Sequence, residues 1–89
     1  MKLESSIQGQ LIKQLESEGY YVIKLVRTNK NGIPDLLAIP KGSDALFIEV
    51  KQPGKKLSPL QQHRKKELTE HGVKSIVYDG QNRSLGEIK

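Results

Sequence analysis

Cysteine is absent from the 89 residues, and so is tryptophan. Without thiols the chain can form neither disulfides nor thiolate zinc sites. Aromatic residues are few, with one Phe and three Tyr inside an apolar fraction of 35%. Such a composition implies one modest core, near the small end of what folds alone, and leaves room for dimerisation. No apolar run approaches the roughly 20 residues that cross a bilayer, and the N-terminus lacks the apolar segment of a secretion signal. The chain therefore reads as soluble, intracellular and cytoplasmic, with no membrane partner. His63 and His71 have no carboxylate-rich neighbourhood in sequence, which argues against a histidine metal site. Acidic residues are in the minority: 10 Asp and Glu against 15 Lys and Arg leave a net charge of +5. A polyanion suits that balance, though basic charge alone is weak evidence for any one partner.

What is present falls into the order helix, three strands, helix, strand. Leu3, Ile7, Leu11 and Leu15 recur at i+4, with Ile12 widening the stripe, so 3–18 reads as an amphipathic helix closed by Gly19. Ser5 and Gln8 fit a capping box that would leave Glu4 just outside that helix; otherwise Glu4 is a first-turn acid favoured by the helix dipole. Tyr20 to Thr28 is aromatic and β-branched, apolar on both faces at Val22, Ile23, Leu25 and Val26, and reads as a strand interior to the sheet. A polar loop then leads to Pro34. Ser58 and Pro59 mark the N-cap and first turn of a second helix that stops at Gly72. Its basic block, His63 to Lys66, reads more readily as a solvated face than as a site. Val73 to Tyr78 forms a last strand. The whole is one α/β domain, 1–89, with a mixed sheet flanked by helices and an uninformative tail at 81–89.

The stretch Gly32 to Lys51 organises the rest. It reads as two short apolar strands joined at Gly42, opening with Asp35 and closing with Glu49 and Lys51. Strand residues alternate between faces, so Leu46, Ile48 and Val50 share a core face while Phe47, Glu49 and Lys51 share the other. A turn centred on Gly42 pairs Leu37 with Phe47 and sets Asp35 opposite Glu49. Opposed Cβ atoms lie about 5 Å apart, and two carboxylates there repel by roughly 3 kcal/mol at an effective dielectric near 20. Such a pair raises one pKa or recruits a cation. The plain alternative is a salt-bridged hairpin end.

Gly32-Ile33-Pro34-Asp35 followed by Glu49-Val50-Lys51 resembles the motif of the PD-(D/E)XK nuclease superfamily. Glu4 in the first helix and Leu57-Ser58-Pro59-Leu60-Gln61 at the second narrow the resemblance to the VRR-NUC (virus-type replication-repair nuclease) family, over about residues 3–78. That resemblance implies the restriction-endonuclease-like core, order αβββαβ. It implies Mg²⁺, with Mn²⁺ substituting, held by Asp35, Glu49, the Val50 carbonyl and Glu4. By the same resemblance Lys51 is the catalytic lysine and Gln61 contacts the nucleophilic water or a phosphate, although Ser58-x-x-Gln61 is also a sufficient capping box.

The function implied is a metal-dependent, structure-selective DNA endonuclease acting on junctions or flaps in replication or repair, working as a homodimer, with a phage or virus as one source the resemblance allows. Arg27, Lys30, Lys55, Lys56, Arg64 and Lys65 are the candidates for the DNA backbone track. The alternative is a basic nucleic-acid-binding module that keeps the fold and does no chemistry; the intact Asp35, Glu49 and Lys51 argue against it.

Overall fold

The computed structural model describes residues 3–80. Helix α1 spans Glu4–Ser17, followed by β1 (Tyr21–Lys24), β2 (Leu36–Ile39), β3 (Leu46–Val50), α2 (Pro59–Glu70) and β4 (Lys74–Tyr78). The sheet order is β1-β2-β3-β4. The first two pairings are antiparallel and β3 pairs with β4 in parallel, so α2 is the crossover that a parallel pair requires. The α/β architecture and element order are those read from the sequence.

The core lies on one side of the sheet. Ile7, Leu11 and Leu15 of α1 are buried with Leu36 and Ala38 of β2, Leu46, Ile48 and Val50 of β3, and Ile76 and Tyr78 of β4. The alternation of β2 and β3 sets this face, and the i+4 spacing in α1 supplies the matching stripe. α1 begins one residue later than its apolar repeat. Leu3 stands at its N-cap without a side-chain cap bond, so Ser5 and Gln8 do not cap it and Glu4 is its first residue. The helix ends where Gly19 takes a φ of 93° and Tyr20 N–H returns to the Leu15 carbonyl at 3.0 Å.

The β2–β3 hairpin has the expected register: Leu36 faces Ile48, Leu37 faces Phe47 and Ala38 faces Leu46. Gly42 provides its turn with a φ of 66°, a conformation that costs a side-chain-bearing residue more than glycine. β1 departs from expectation. It lies at the edge of the sheet, not inside it, and Tyr21 and Ile23 on one of its faces are 70% and 39% exposed. Its two-sided apolar pattern reflects an uncovered sheet face, because α2 packs over β4 at the opposite edge.

α2 is unusual in holding no fully buried residue. Its position depends on directional contacts. Ser58 and Gln61 form a complete capping box. Lys65 donates its ammonium to the Ser75 carbonyl on β4. Leu60 packs against Gly32, whose φ is 79° and where an added Cβ would lie 2.7 Å from Leu60 Cγ.

Candidate active site

The hairpin carries the acids to the end of the sheet away from its turn. Extending the β2–β3 register by one step sets Asp35 opposite Glu49, and the Asp35 charge and a hydrogen bond from its side chain act on the Glu49 carboxyl. Asp35 has a second task. Its Oδ2 accepts the Val50 N–H at 2.8 Å, beyond the last backbone pairing of β2 with β3. A carboxylate thus replaces a ladder carbonyl and satisfies a backbone donor in a fully buried residue. Since N–H and C=O of a strand residue project from the same edge, the Val50 carbonyl belongs on the Asp35 side.

Glu49 is 5% exposed. Its carboxyl is raised from the usual 4.5 to about 8, first by burial and then by the Asp35 charge and the hydrogen bond to Asp35. Lys51 opposes that rise, and Glu4 adds to it as the smallest contribution. Gln61 completes the surround, its Nε2 donating to Glu49 Oε2 at 3.3 Å. Its Oε1 meanwhile accepts the Ser58 N–H at 2.9 Å, and its own N–H donates to Ser58 Oγ at 3.2 Å. Capping and contact with the acid are therefore not alternatives. The side-chain amide has two ends, and each does one of these jobs.

These donors suit a hard divalent cation. Two carboxylates and a strand carbonyl are oxygen ligands of the kind Mg²⁺ and Mn²⁺ take, and Mg²⁺ uses only one or two protein carboxylates. Burial of Glu49 and the facing Asp35 charge together raise its carboxyl. Among the described residues no three of His, Cys, Asp and Glu gather closely enough to hold a metal. Glu4, exposed at the start of α1, bears on the site through its charge at Glu49.

The six basic candidates divide into two groups. Arg27 and Lys30 are exposed beside an open polar hollow of about 290 Å³ in the loop between β1 and β2. Lys55 and Lys56 are exposed in the loop before α2. Arg64 and Lys65, by contrast, are half-buried and bonded within the protein. Arg64 Nε donates to the Asn31 carbonyl at 2.7 Å, and its other end pairs with Glu67 Oε1 at 2.8 Å. Glu67 also meets His63 at 3.3 Å, and its carboxyl is held below the usual range chiefly by the hydrogen bond from Arg64. Nothing in the spacing of the basic block distinguishes these internal roles. An arginine one turn after a helix start, facing a glycine-bearing loop, is the only sequence hint.

A mixed four-stranded sheet with paired acids and a lysine at one end of a hairpin defines a nuclease-type α/β domain. Residues 3–82 match the family model of the VRR-NUC domain, and the chain belongs to that family. It is 35% identical over 82 residues to a protein named "Putative nuclease p44" from Acyrthosiphon pisum secondary endosymbiont phage 1, covering 91% of this chain and 87% of that one. A solved structure titled "VRR_NUC domain" superposes with a TM-score of 0.78 at 28% identity, over 85% of this chain and 83% of the other. Another, "VRR_NUC domain protein", gives a TM-score of 0.80 over 98% and 85% of the two chains. At 22% identity it bears on the fold alone.

Proposed function

We propose that this nuclease domain is a divalent-metal-dependent, structure-selective DNA endonuclease. The observation that carries the reading is the buried Glu49 carboxyl, raised to about 8 and set against Asp35, with Lys51 and Gln61 on its other sides. Strongly shifted, buried carboxyls facing a second acid cluster at functional sites. Asp35, Glu49 and the Val50 carbonyl would hold the ion. When bound, it supplies a lowered water pKa and charge neutralisation at the phosphate.

The remaining work falls to the chain. Lys51, on the same strand face as Glu49, offsets negative charge developing on the attacked phosphate. The Gln61 amide, fixed at its oxygen by Ser58, presents its N–H₂ group toward Glu49 and orients that carboxylate. Burial of Glu49 strengthens each of these interactions by excluding water. Arg27, Lys30, Lys55 and Lys56 are placed in exposed loops where a sugar–phosphate backbone can reach them.

Branched DNA is the proposed substrate, with four-way junctions and flaps as the candidates. One site cuts one strand, so paired symmetric nicks call for a C2 homodimer; the uncovered apolar side chains of β1 are compatible with that assembly. The test is a panel of end-labelled linear, flap and four-way DNAs with Mg²⁺, Mn²⁺ or chelator. Metal-dependent cleavage of the branched substrates that disappears in Asp35→Asn supports the reading. Binding without cleavage under every metal overturns it, and a monomer by light scattering at micromolar concentration overturns the dimer.

A further inference from the structure

The loop entering β2 and the helix α2 deliver the two halves of the site. The loop, residues 25–34, ends at Asp35, and α2 contributes Gln61 from its first turn. A helix with no fully buried side chain has little apolar packing to fix its position over a sheet. Its placement must then come from directional bonds, and the structure supplies one on each flank. Lys65 ties α2 to the Ser75 carbonyl on β4, and Arg64 ties it to the Asn31 carbonyl of the loop. Glu67 holds the free end of the guanidinium, leaving the Arg64 side chain only 18% exposed. Beside this bond the loop touches the helix through Gly32 and Leu60, where there is no space for a side chain at residue 32.

We propose that Arg64 is a positioning residue: it braces the Asp35-bearing loop against α2, so that Asp35 and Gln61 converge on Glu49. This inference deepens the nuclease reading and rests on it for its catalytic consequence. It also reassigns Arg64 from the DNA backbone track. An arginine whose Nε is bonded to a carbonyl and whose terminal nitrogen is paired with a carboxylate has its guanidinium plane fixed by two internal bonds. Lysine cannot reproduce that geometry, because it is a single charged point on a flexible stem.

The difference between bracing and phosphate contact is measurable with Arg64→Lys and Arg64→Ala. For a brace, both variants lower kcat, by at least about tenfold and up to roughly 100-fold. KM for DNA and the slope of log affinity against log salt stay at the wild-type values. Lysine does not rescue. For a phosphate contact, Arg64→Lys cleaves nearly as wild type, while Arg64→Ala raises KM and lowers the salt slope by about 0.9; that pattern overturns the proposal. Should Arg64→Ala fail to fold, Arg64→Lys decides alone by its kcat.

Amide hydrogen exchange at Leu25, whose N–H closes the loop by donating to the Asp35 carbonyl at 2.8 Å, provides a readout independent of cleavage. Faster exchange there in Arg64→Lys, with β2 and β3 unchanged, supports the brace, and wild-type exchange overturns it. If the wild-type chain cuts no DNA, the nuclease reading fails while this measurement still decides whether Arg64 holds the loop.

Discussion

The side-chain amide of Gln61 reaches Glu49 Oε2 at 3.3 Å while its other end accepts the Ser58 N–H at 2.9 Å. A helix cap therefore sets which face of the amide meets the buried acid. Gln61→Glu separates the two jobs. The cap survives, since a carboxylate accepts the Ser58 N–H as well as an amide oxygen does. The donor toward Glu49 is replaced by a further negative oxygen. Cleavage should fall by on the order of 100-fold with a melting temperature close to wild type, measured by single-turnover kinetics and thermal denaturation. Undiminished cleavage would remove Gln61 from the chemistry.

Asp35 serves the fold and the site at once, and two substitutions should divide these roles. Asp35→Asn keeps a carbonyl oxygen for the Val50 N–H, so stability holds while metal-dependent cleavage drops to background. Asp35→Ala leaves that buried N–H without its acceptor, a loss of about 1–3 kcal/mol. Urea titrations of the two variants beside wild type measure the difference. Equal midpoints for Asn and Ala would show that the bond to Val50 contributes nothing.

Glu49 should make the metal-free protein less stable as pH rises. Folded, its carboxyl gives up its proton near 8; unfolded, it does so near 4.5. Between those values the folded state holds a proton that the unfolded state has released, so raising the pH favours unfolding. The urea midpoint of chelated protein should decline from pH 5 to pH 8. Glu49→Gln should flatten that decline and be more stable than wild type at pH 8, while being inactive. Mg²⁺ should restore wild-type stability at the upper end, since a ligand that binds only the folded state stabilises it. A chelated wild-type midpoint independent of pH would contradict the placement of Glu49.

Lys55 and Lys56 stand exposed with no internal bond assigned to their ammonium groups, unlike Arg64 and Lys65. If each contacts a phosphate, Lys55→Ala and Lys56→Ala should each reduce the salt slope of DNA affinity by about 0.9. The rate of cleavage by the saturated enzyme should be unchanged. Fluorescence anisotropy across a salt series makes the measurement, and unaltered slopes would take both lysines off the backbone track.

The hairpin was legible because period-2 alternation and a single glycine-centred turn leave one register that buries Leu36, Ala38, Leu46 and Ile48 together. The opposition of Asp35 and Glu49 followed from the same arithmetic. β1 was misjudged because apolar residues on both faces signal burial only when something covers each face. Here α2 sits over the far edge of the sheet, and Tyr21 and Ile23 stay in solvent. Local pattern also misled at α1, where Ser5 and Gln8 have the spacing of a cap but lie inside the helix. The internal bonds of Arg64 and Lys65 depend on which loop and strand come to rest beside α2. That is a property of the tertiary fold, and the run of charges from His63 to Lys66 does not contain it.

The hairpin also has a far end. Its turn at Gly42 is separated from Glu49 by the length of β3, a rise of roughly 3.3 Å per residue, and no side chain described at the site comes from it. Ser43, exposed at that turn, is consequently a convenient attachment point. A dye or surface tether placed there would let single molecules be watched on branched DNA while the acids at the opposite end stay undisturbed.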